Sequence, residues 1–371
     1  MMKKSVLVLL LIMSLLFMIG CNKDEEVSTD DKVFTLEELN LDYSKGLAEN
    51  GYYKDVVARD SVHLIDFDTI VVPKVVHEIN DEKINQSIQG ILHEYGTYSQ
   101  VVDRGIMLGD KVNVDYIGTI DGEEFSDSNT NRKGKDLIIG ITEIVGDFTE
   151  QLVGHAAGDV VEIEVTFPPY YPNTAIRGKT AIFVTTINTV ESPNLPDLTD
   201  EFVRDVLGET YGVYTVAELK DNLRTYYEES EVNNYLYNIL MENALVGFIP
   251  ESVIAYEDEM ERNAIRRSAA GAGVSVNSYL ELGGFKNFDE YSKAILNDVQ
   301  GIAVSNLIVQ AAAEELNLVI TEEIINDFFL EVRGEGDYSE IIDSLGMPFV
   351  NKSVLLEATI SALRDYVKYE E

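Results

Sequence analysis

The chain has 371 residues, 45% of them apolar, with 66 acidic and 28 basic side chains for a net charge of −38. That balance excludes nucleic acid as a partner, because a phosphate backbone is bound through neutralising Lys and Arg. Its plain consequence is solubility and repulsion from anionic surfaces, with basic segments favoured if the charge selects a client at all.

The first twenty residues place Lys3 and Lys4 before an unbroken, mostly apolar run from Ser5 to Ile19, then Gly20 and Cys21. That is the order of a secretory signal, expected over residues 1–20 and removed on export. The run is about 15 residues, short of the roughly 20 that a membrane-spanning helix needs. Met18-Ile19-Gly20-Cys21 resembles the bacterial lipobox, in which the cysteine is lipidated and becomes the mature N-terminus; Met18 stands where Leu is usual. Cys21 is the sole cysteine, so an intrachain disulfide is ruled out and the residue reads as a lipid anchor. Two or more acyl chains hold a protein stably on a membrane where one does not. Residues 21–33 are acidic and aperiodic, as a flexible tether would be. These features predict a protein on the outer face of a bacterial cell membrane, attached through lipid on Cys21.

Between 34 and 100 the signals are mixed. Short apolar stretches at Val56-Val57, His63–Ile65 and Ile70–Val76 precede a helical pattern near 80–97, where Ile84, Ile88, Ile91, Leu92 and Tyr95 form one stripe behind a cap at Asn80 or Asp81. From Asp110 to Val190 the period becomes two. Val112, Val114 and Tyr116 alternate with polar residues, as do Val161, Ile163, Val165 and Phe167, and a third strand runs about Thr180 to Val190. Turns at Asp121-Gly122 and Ala157-Gly158-Asp159 punctuate these strands, and a short helical piece lies near Phe148 to Leu152. The region is a compact α+β domain with an antiparallel sheet. After Pro196 the helical period returns: Thr215-x-x-Glu218 is a capping box, and further helices follow Pro250-Glu251, around Ile295 to Ile302, after Thr321, and from Leu355 to Val367.

No metal site or cofactor is expected. The histidines at 63, 77, 93 and 155 are scattered and no thiol is left for coordination. Phosphate loops and nucleophile elbows are absent from the sequence as well.

Val114-Asp115-Tyr116-Ile117-Gly118, followed by Asp121-Gly122-Glu123-Glu124-Phe125, resembles the opening strands of FKBP-type peptidyl-prolyl isomerases. The order continues with Ile144-Val145-Gly146-Asp147-Phe148 at the pocket-floor helix and Gly154–Asp159 at the next turn. Val165–Tyr171 then stands at the pocket-edge loop, and Gly178–Val184 at the closing strand. Phe148 in place of the common Trp, and Leu195–Phe202 following at once, are similar to the trigger factor branch. The resemblance implies an FKBP-like sheet wrapped on a short helix over 101–192, preceded by a connector helix within 34–100. It also implies an all-α chaperone domain of trigger factor type over 193–371. That branch's basic ribosome-docking domain has no counterpart between Cys21 and Val76, so the resemblance implies no ribosome as partner, the lipid serving to localise the chain.

Alternation alone makes core residues of Tyr116 and Phe183. The resemblance implies instead that Tyr116, Phe125, Ile144, Val145, Phe148, Tyr171 and Phe183 line a pocket for a proline ring, with Phe148 as floor, the Val145 N–H holding the substrate carbonyl and the Tyr171 hydroxyl a second donor. The activity implied is cis/trans isomerisation of X-Pro bonds in unfolded or newly secreted polypeptides. Three departures leave room for a slow enzyme, or for a holdase with an idle fold: Ser126 where an acidic residue is frequent, Lys135 where an aromatic often stands, and Gly146-Asp147 for Pro-Gly.

Overall fold

A computed structural model describes residues 32–142, 144–168, 176–334 and 337–371. The expected signal, Cys21, most of the tether and Tyr171 lie outside the described residues. The chain divides into two compact units, 79–225 and a second in which the residues up to 78 join 226–371.

The 79–225 unit opens with helix α1, Asp81–Glu94, started by Asn80, whose side chain accepts the Lys83 N–H at 2.9 Å. Ile84, Ile88, Ile91 and Leu92 of the expected stripe are buried, while Tyr95 caps the helix and is exposed. Strands β1 (Thr97–Gln100), β2 (Lys111–Ile120), β3 (Glu123–Asn129), β4 (Lys135–Ile138), β5 (Val160–Thr166) and β6 (Thr180–Asn194) form one sheet. β6 is its spine, pairing antiparallel with β1, β2 and β5, and β2 pairs on its other side with β3 and β4. β6 runs beyond the expected Val190 because β1 supplies partners as far as Asn194. In β5 exposed and buried residues alternate, so one sheet face carries Val161, Ile163 and Val165 into a core with Val112, Val114, Leu137, Ile139, Leu152 and Ile187. The short helical piece is a single turn, Glu150–Leu152.

Helix α2, Val216–Asn243, runs from this unit into the next. Its capping box is formed as the sequence indicates: Thr215 Oγ1 accepts the Glu218 N–H at 3.2 Å and Glu218 accepts the Thr215 N–H at 3.1 Å. Then follow α3 (Glu251–Ala272), α4 (Val276–Leu282), α5 (Phe288–Ala294), α6 (Leu296–Glu315), α7 (Glu322–Arg333), α8 (Ser339–Leu345) and α9 (Met347–Leu363). α6 is buried on several sides, with Ala303, Leu307 and Ala311 packed among Leu236, Leu240, Val253 and Leu363, which is why its sequence is apolar nearly all round. The last helix ends earlier than its pattern suggests, and Lys368-Tyr369 turn extended to pair in parallel with Val71-Val72.

Residues 32–78 are built into this helical unit. Tyr53, Val62, Phe67 and Val72 share its core, and Val62 pairs with Val246. Their irregular backbone finds side-chain partners: Gln310 accepts the Tyr53 N–H (2.8 Å) and donates to the Val56 carbonyl (3.0 Å), and Glu314 accepts the Ala58 and Arg59 N–H groups (3.0 and 3.1 Å). Deeper in, the Tyr53 hydroxyl donates to Glu257, which also accepts from Asn306 at 2.8 Å. Lys352 Nζ lies 3.8 Å from the same carboxylate and 4.1 Å from the Tyr53 ring centre. Burial pushes the Tyr53 phenol well up, and the Glu257 charge adds to the effect. Burial pulls the Lys352 ammonium down, against the attraction of Glu257.

Candidate functional site

The core-facing side of the sheet in the 79–225 unit carries an aromatic cluster centred on Phe183. Its ring meets Tyr116, Phe148 and Phe125 edge-on, with centroids 5.5, 5.4 and 6.0 Å away. Tyr116 and Phe148 also meet edge-on at 5.7 Å. Such pairs set positive ring edges against negative faces and add ~0.5–1.5 kcal/mol each beyond the area buried. The cluster is therefore rigid. Phe148 is 1% exposed and belongs to the buried core of the cluster, while Tyr116, Phe125, Ile144 and Val145 pack against that core with part of each residue open to solvent.

Local sequence sets each member. Tyr116 and Phe183 stand on β2 and β6, whose register places Gly118 opposite Phe183. A Cβ on Gly118 would fall 2.4 Å from Phe183 Cε1, so the ring fills the space a side chain would take. The turn into the floor passes through Gly146 at φ +62°, left-handed backbone that suits glycine. Gln151 then fastens the floor to β5: its amide donates to the Glu164 carbonyl (2.9 Å) and to Asp147 (2.8 Å), and accepts the Glu164 N–H (3.3 Å). Thr149 Oγ1 takes the Gly140 N–H at 3.2 Å on the other side.

Every pocket residue named from the sequence except Tyr171, which lies outside the described residues, thus meets in one cluster. Two further participants were not singled out by the sequence. Phe167 is buried and edge-on to Phe125 at 5.7 Å; its strand alternation marked it as core. Gly118 carried the weak signal of a glycine inside a strand pattern, which often marks a close approach. Lys135 is exposed and stands opposite Val114, so register puts it on the core-facing side of the sheet.

Charge is organised around the cluster rather than inside it. Arg104 grips Asp110 through two hydrogen bonds, 2.5 and 2.9 Å, and the Met107 N–H adds a third at 2.9 Å. Burial alone would raise the Asp110 carboxyl, but these donors and the Arg104 charge outweigh it and hold the group below its ordinary range. His93 at the end of α1 is buried, which pulls its imidazole down. Its Nδ1 lies 2.9 Å from the Tyr98 hydroxyl, which donates to the His93 carbonyl at 3.1 Å, tying α1 to β1. Among the described residues no group of three or more His, Cys, Asp or Glu is placed to hold a metal ion, and no helix is long and apolar enough to cross a membrane. The described cluster offers ring faces, aliphatic edges and one phenol hydroxyl. It suits the binding of an apolar ring and the stabilising of a conformer.

Comparison with known proteins agrees with this chemistry. The family model described as FKBP-type peptidyl-prolyl cis-trans isomerase matches residues 103–188. The chain is similar to trigger factor of Staphylococcus epidermidis, 28% identical over 326 residues covering 85% of this chain and 74% of that one. It is similar also to trigger factor of Streptococcus suis, 31% identical over 283 residues covering 73% and 64%. A solved structure titled "Promiscuous Substrate Recognition in Folding and Assembly Activities of the Trigger Factor Chaperone" aligns at 16% identity, covering 82% of this chain and 73% of that one. Its TM-score of 0.31 gives it no weight for how the parts are arranged.

Proposed function

Because the chain is trigger factor-like and carries an FKBP-type peptidyl-prolyl isomerase domain, we propose that it is a foldase outside the cytoplasm, held to the membrane by lipid on Cys21. It isomerises X-Pro bonds while its helical unit binds unfolded polypeptides. The observation that carries the catalytic reading is the aromatic cluster: Phe148 and Phe183 buried at its centre, with Tyr116, Phe125, Ile144 and Val145 packed against the same core and partly open to solvent.

The physics of the reaction fits such a cluster. Amide resonance gives X-Pro rotation a barrier of ~18–20 kcal/mol. The twisted amide has lost that resonance and is less polar than either planar form, so a water-poor apolar site favours it. A proline ring received among the partly open side chains of Tyr116, Phe125, Ile144 and Val145, which Phe148 backs from within the core, fixes one side of the bond while the preceding carbonyl turns. Only contacts better made in the twisted state accelerate the step, and rigid rings held edge-on make them without rearrangement. No nucleophile or base takes part. Outside the cytoplasm the uncatalysed reaction takes tens of seconds or more and limits folding, so a catalyst needing no nucleotide is of use there.

Support for the membrane position is the sequence Met18-Ile19-Gly20-Cys21 behind its apolar run. Replacing Cys21 by Ser should shift the protein from the membrane fraction to the soluble one and abolish incorporation of labelled fatty acid; unchanged fractionation and labelling would remove the anchor from this reading. For the enzyme, proline-peptide exchange followed by NMR should be accelerated by the wild type and not by Phe148→Leu, which keeps a buried apolar side chain but removes the ring. Equal rates would leave the second reading, a holdase with an idle isomerase fold. Lys135 favours that reading, since it puts a cation on the core-facing side of the sheet opposite Val114.

A further inference from the structure

We infer that Thr130 and Asp115 are positioning residues for the Tyr116 wall of the site: they clamp the backbone of Tyr116 where its strand, paired with β6 on one side, lies between its β4 and β3 pairings on the other. This inference rests on the isomerase reading of the pocket.

β2 pairs with β4 from Lys111 to Val114 and with β3 from Ile117 to Ile120. Tyr116 falls at the junction of the two pairings, with its N–H and C=O directed at the connecting turn. Thr130 meets both groups. Its N–H donates to the Tyr116 carbonyl at 3.1 Å, as a ladder partner would. Its own carbonyl does not complete the pair and instead accepts the Lys133 N–H at 3.1 Å as the chain turns through Asn131 and Arg132 at φ +54° and +57°. The Thr130 hydroxyl takes over that role and accepts the Tyr116 N–H at 3.1 Å. A side chain thus replaces a backbone acceptor beside a pocket residue.

A hydroxyl rotor accepts in that direction only when its hydrogen points elsewhere, and an acceptor on that other side holds it there. Asp115 engages it: Thr130 Oγ1 donates to Asp115 Oδ1 at 2.7 Å, much closer than the competing Tyr116 carbonyl at 3.5 Å. The Gly134 N–H donates to the same oxygen at 3.0 Å and closes the turn, and Asn188 Nδ2 donates to Oδ2 at 2.9 Å from β6. Hydrogen bonds from Asn188, then Thr130, then Gly134 hold the Asp115 carboxyl below its ordinary range. Asp115 acts through Thr130, and Thr130 acts on the backbone that aims the Tyr116 ring at Phe148 and Phe183.

The test compares Thr130→Val, which keeps the branched shape and removes the hydroxyl, with Thr130→Ser, which keeps the hydroxyl. Two readouts are taken on the whole protein: hydrogen exchange of the Tyr116 amide, and kcat and KM for a proline tetrapeptide. Thr130→Val should speed Tyr116 exchange and lower kcat, each by about tenfold, the size expected for losing one hydrogen bond, with KM within about twofold. Thr130→Ser should stay within about twofold of wild type in all three. Asp115→Ala should change both readouts in the direction of Thr130→Val, and adding it to Thr130→Val should change less than the sum of the two singles, because the variants share the Thr130 hydroxyl bond while Asp115 also holds Gly134 and Asn188. Wild-type exchange and kcat in Thr130→Val overturn the inference, as does a Thr130→Ser variant as impaired as Thr130→Val, or faster exchange with unchanged kcat. A wild type that does not isomerise overturns the isomerase reading and, with it, the catalytic role of the clamp. Tyr116 exchange then reports separately whether the clamp itself exists.

Discussion

Replacing Gly118 by Ala probes the aromatic cluster through a single methyl group. The backbone at Gly118 is open to an L-residue, so any cost is steric. The new Cβ would stand 2.4, 2.6 and 3.0 Å from three atoms of the Phe183 ring, where ordinary contact begins at 3.4 Å. The ring must retreat by about 1 Å, yet Tyr116, Phe148 and Phe125 hold it on three sides at 5.5, 5.4 and 6.0 Å. Overpacking of this kind costs about 1–3 kcal/mol. At roughly 2–4 °C per kcal/mol for a unit of this size, the 79–225 unit should melt several degrees lower. Urea unfolding read by tyrosine fluorescence suits a chain with 20 Tyr and no Trp. Adding Phe183→Leu removes the obstructing ring edge, so the double variant should cost less than the sum of the singles by about 1–2 kcal/mol. Gly90→Ala is the contrast, since its Cβ meets only Ile141 Cγ2 at 3.8 Å, and a helical Gly→Ala change there should gain about 0.5–1 kcal/mol. A Gly118→Ala protein within about 0.5 kcal/mol of wild type, the ordinary range of a neutral surface change, would refute the packing described for Phe183.

Asp110→Asn should cost about 1.5–3 kcal/mol at pH 7, because it weakens the charged hydrogen bonds between a buried carboxylate and a half-buried Arg104. The Asp110 carboxyl is held low in the folded state, so its contribution is present above the ordinary carboxylate pKa and is lost as pH falls through the folded value. The difference between variant and wild type in urea unfolding should therefore shrink toward pH 2, and a constant difference would contradict the assignment. Tyr53→Phe removes the donor to Glu257 and should cost about 1.5–3 kcal/mol near neutrality. The Tyr53 phenol is raised in the folded state, so its contribution is complete below the ordinary phenol pKa and declines as pH rises above about 10, where the unfolded chain ionises first. Wild type should lose its advantage over Tyr53→Phe in that alkaline range, and a difference that grew with pH would count against a buried neutral phenol.

Local period carried much of this fold. The stripe from Ile84 to Leu92 and the alternation from Val161 to Phe167 each report a face turned to the core, and both elements stand where their patterns put them. Tyr95 fits the same spacing but falls after the last helical residue. The course of residues 32–78 was not legible, because their partners lie far along the chain: Tyr53 bonds to Gln310, Val62 pairs with Val246, and Val71 with Lys368. Short apolar stretches without a period say only that something is buried. The same limit applies at the candidate site. Resemblance singled out the aromatic residues, but Gly118 and Thr130 matter through cross-strand register, which no local pattern encodes.

If binding and isomerisation work together on unfolded chains, both should show in the refolding of a client whose slow phase is set by a proline bond. The wild-type protein is expected to accelerate that slow phase and to suppress aggregation, and Phe148→Leu to lose the acceleration while keeping the suppression. A wild type that leaves the slow phase at its spontaneous rate, or a folded Phe148→Leu that accelerates it equally, would contradict the coupling proposed between the aromatic cluster and the helical unit.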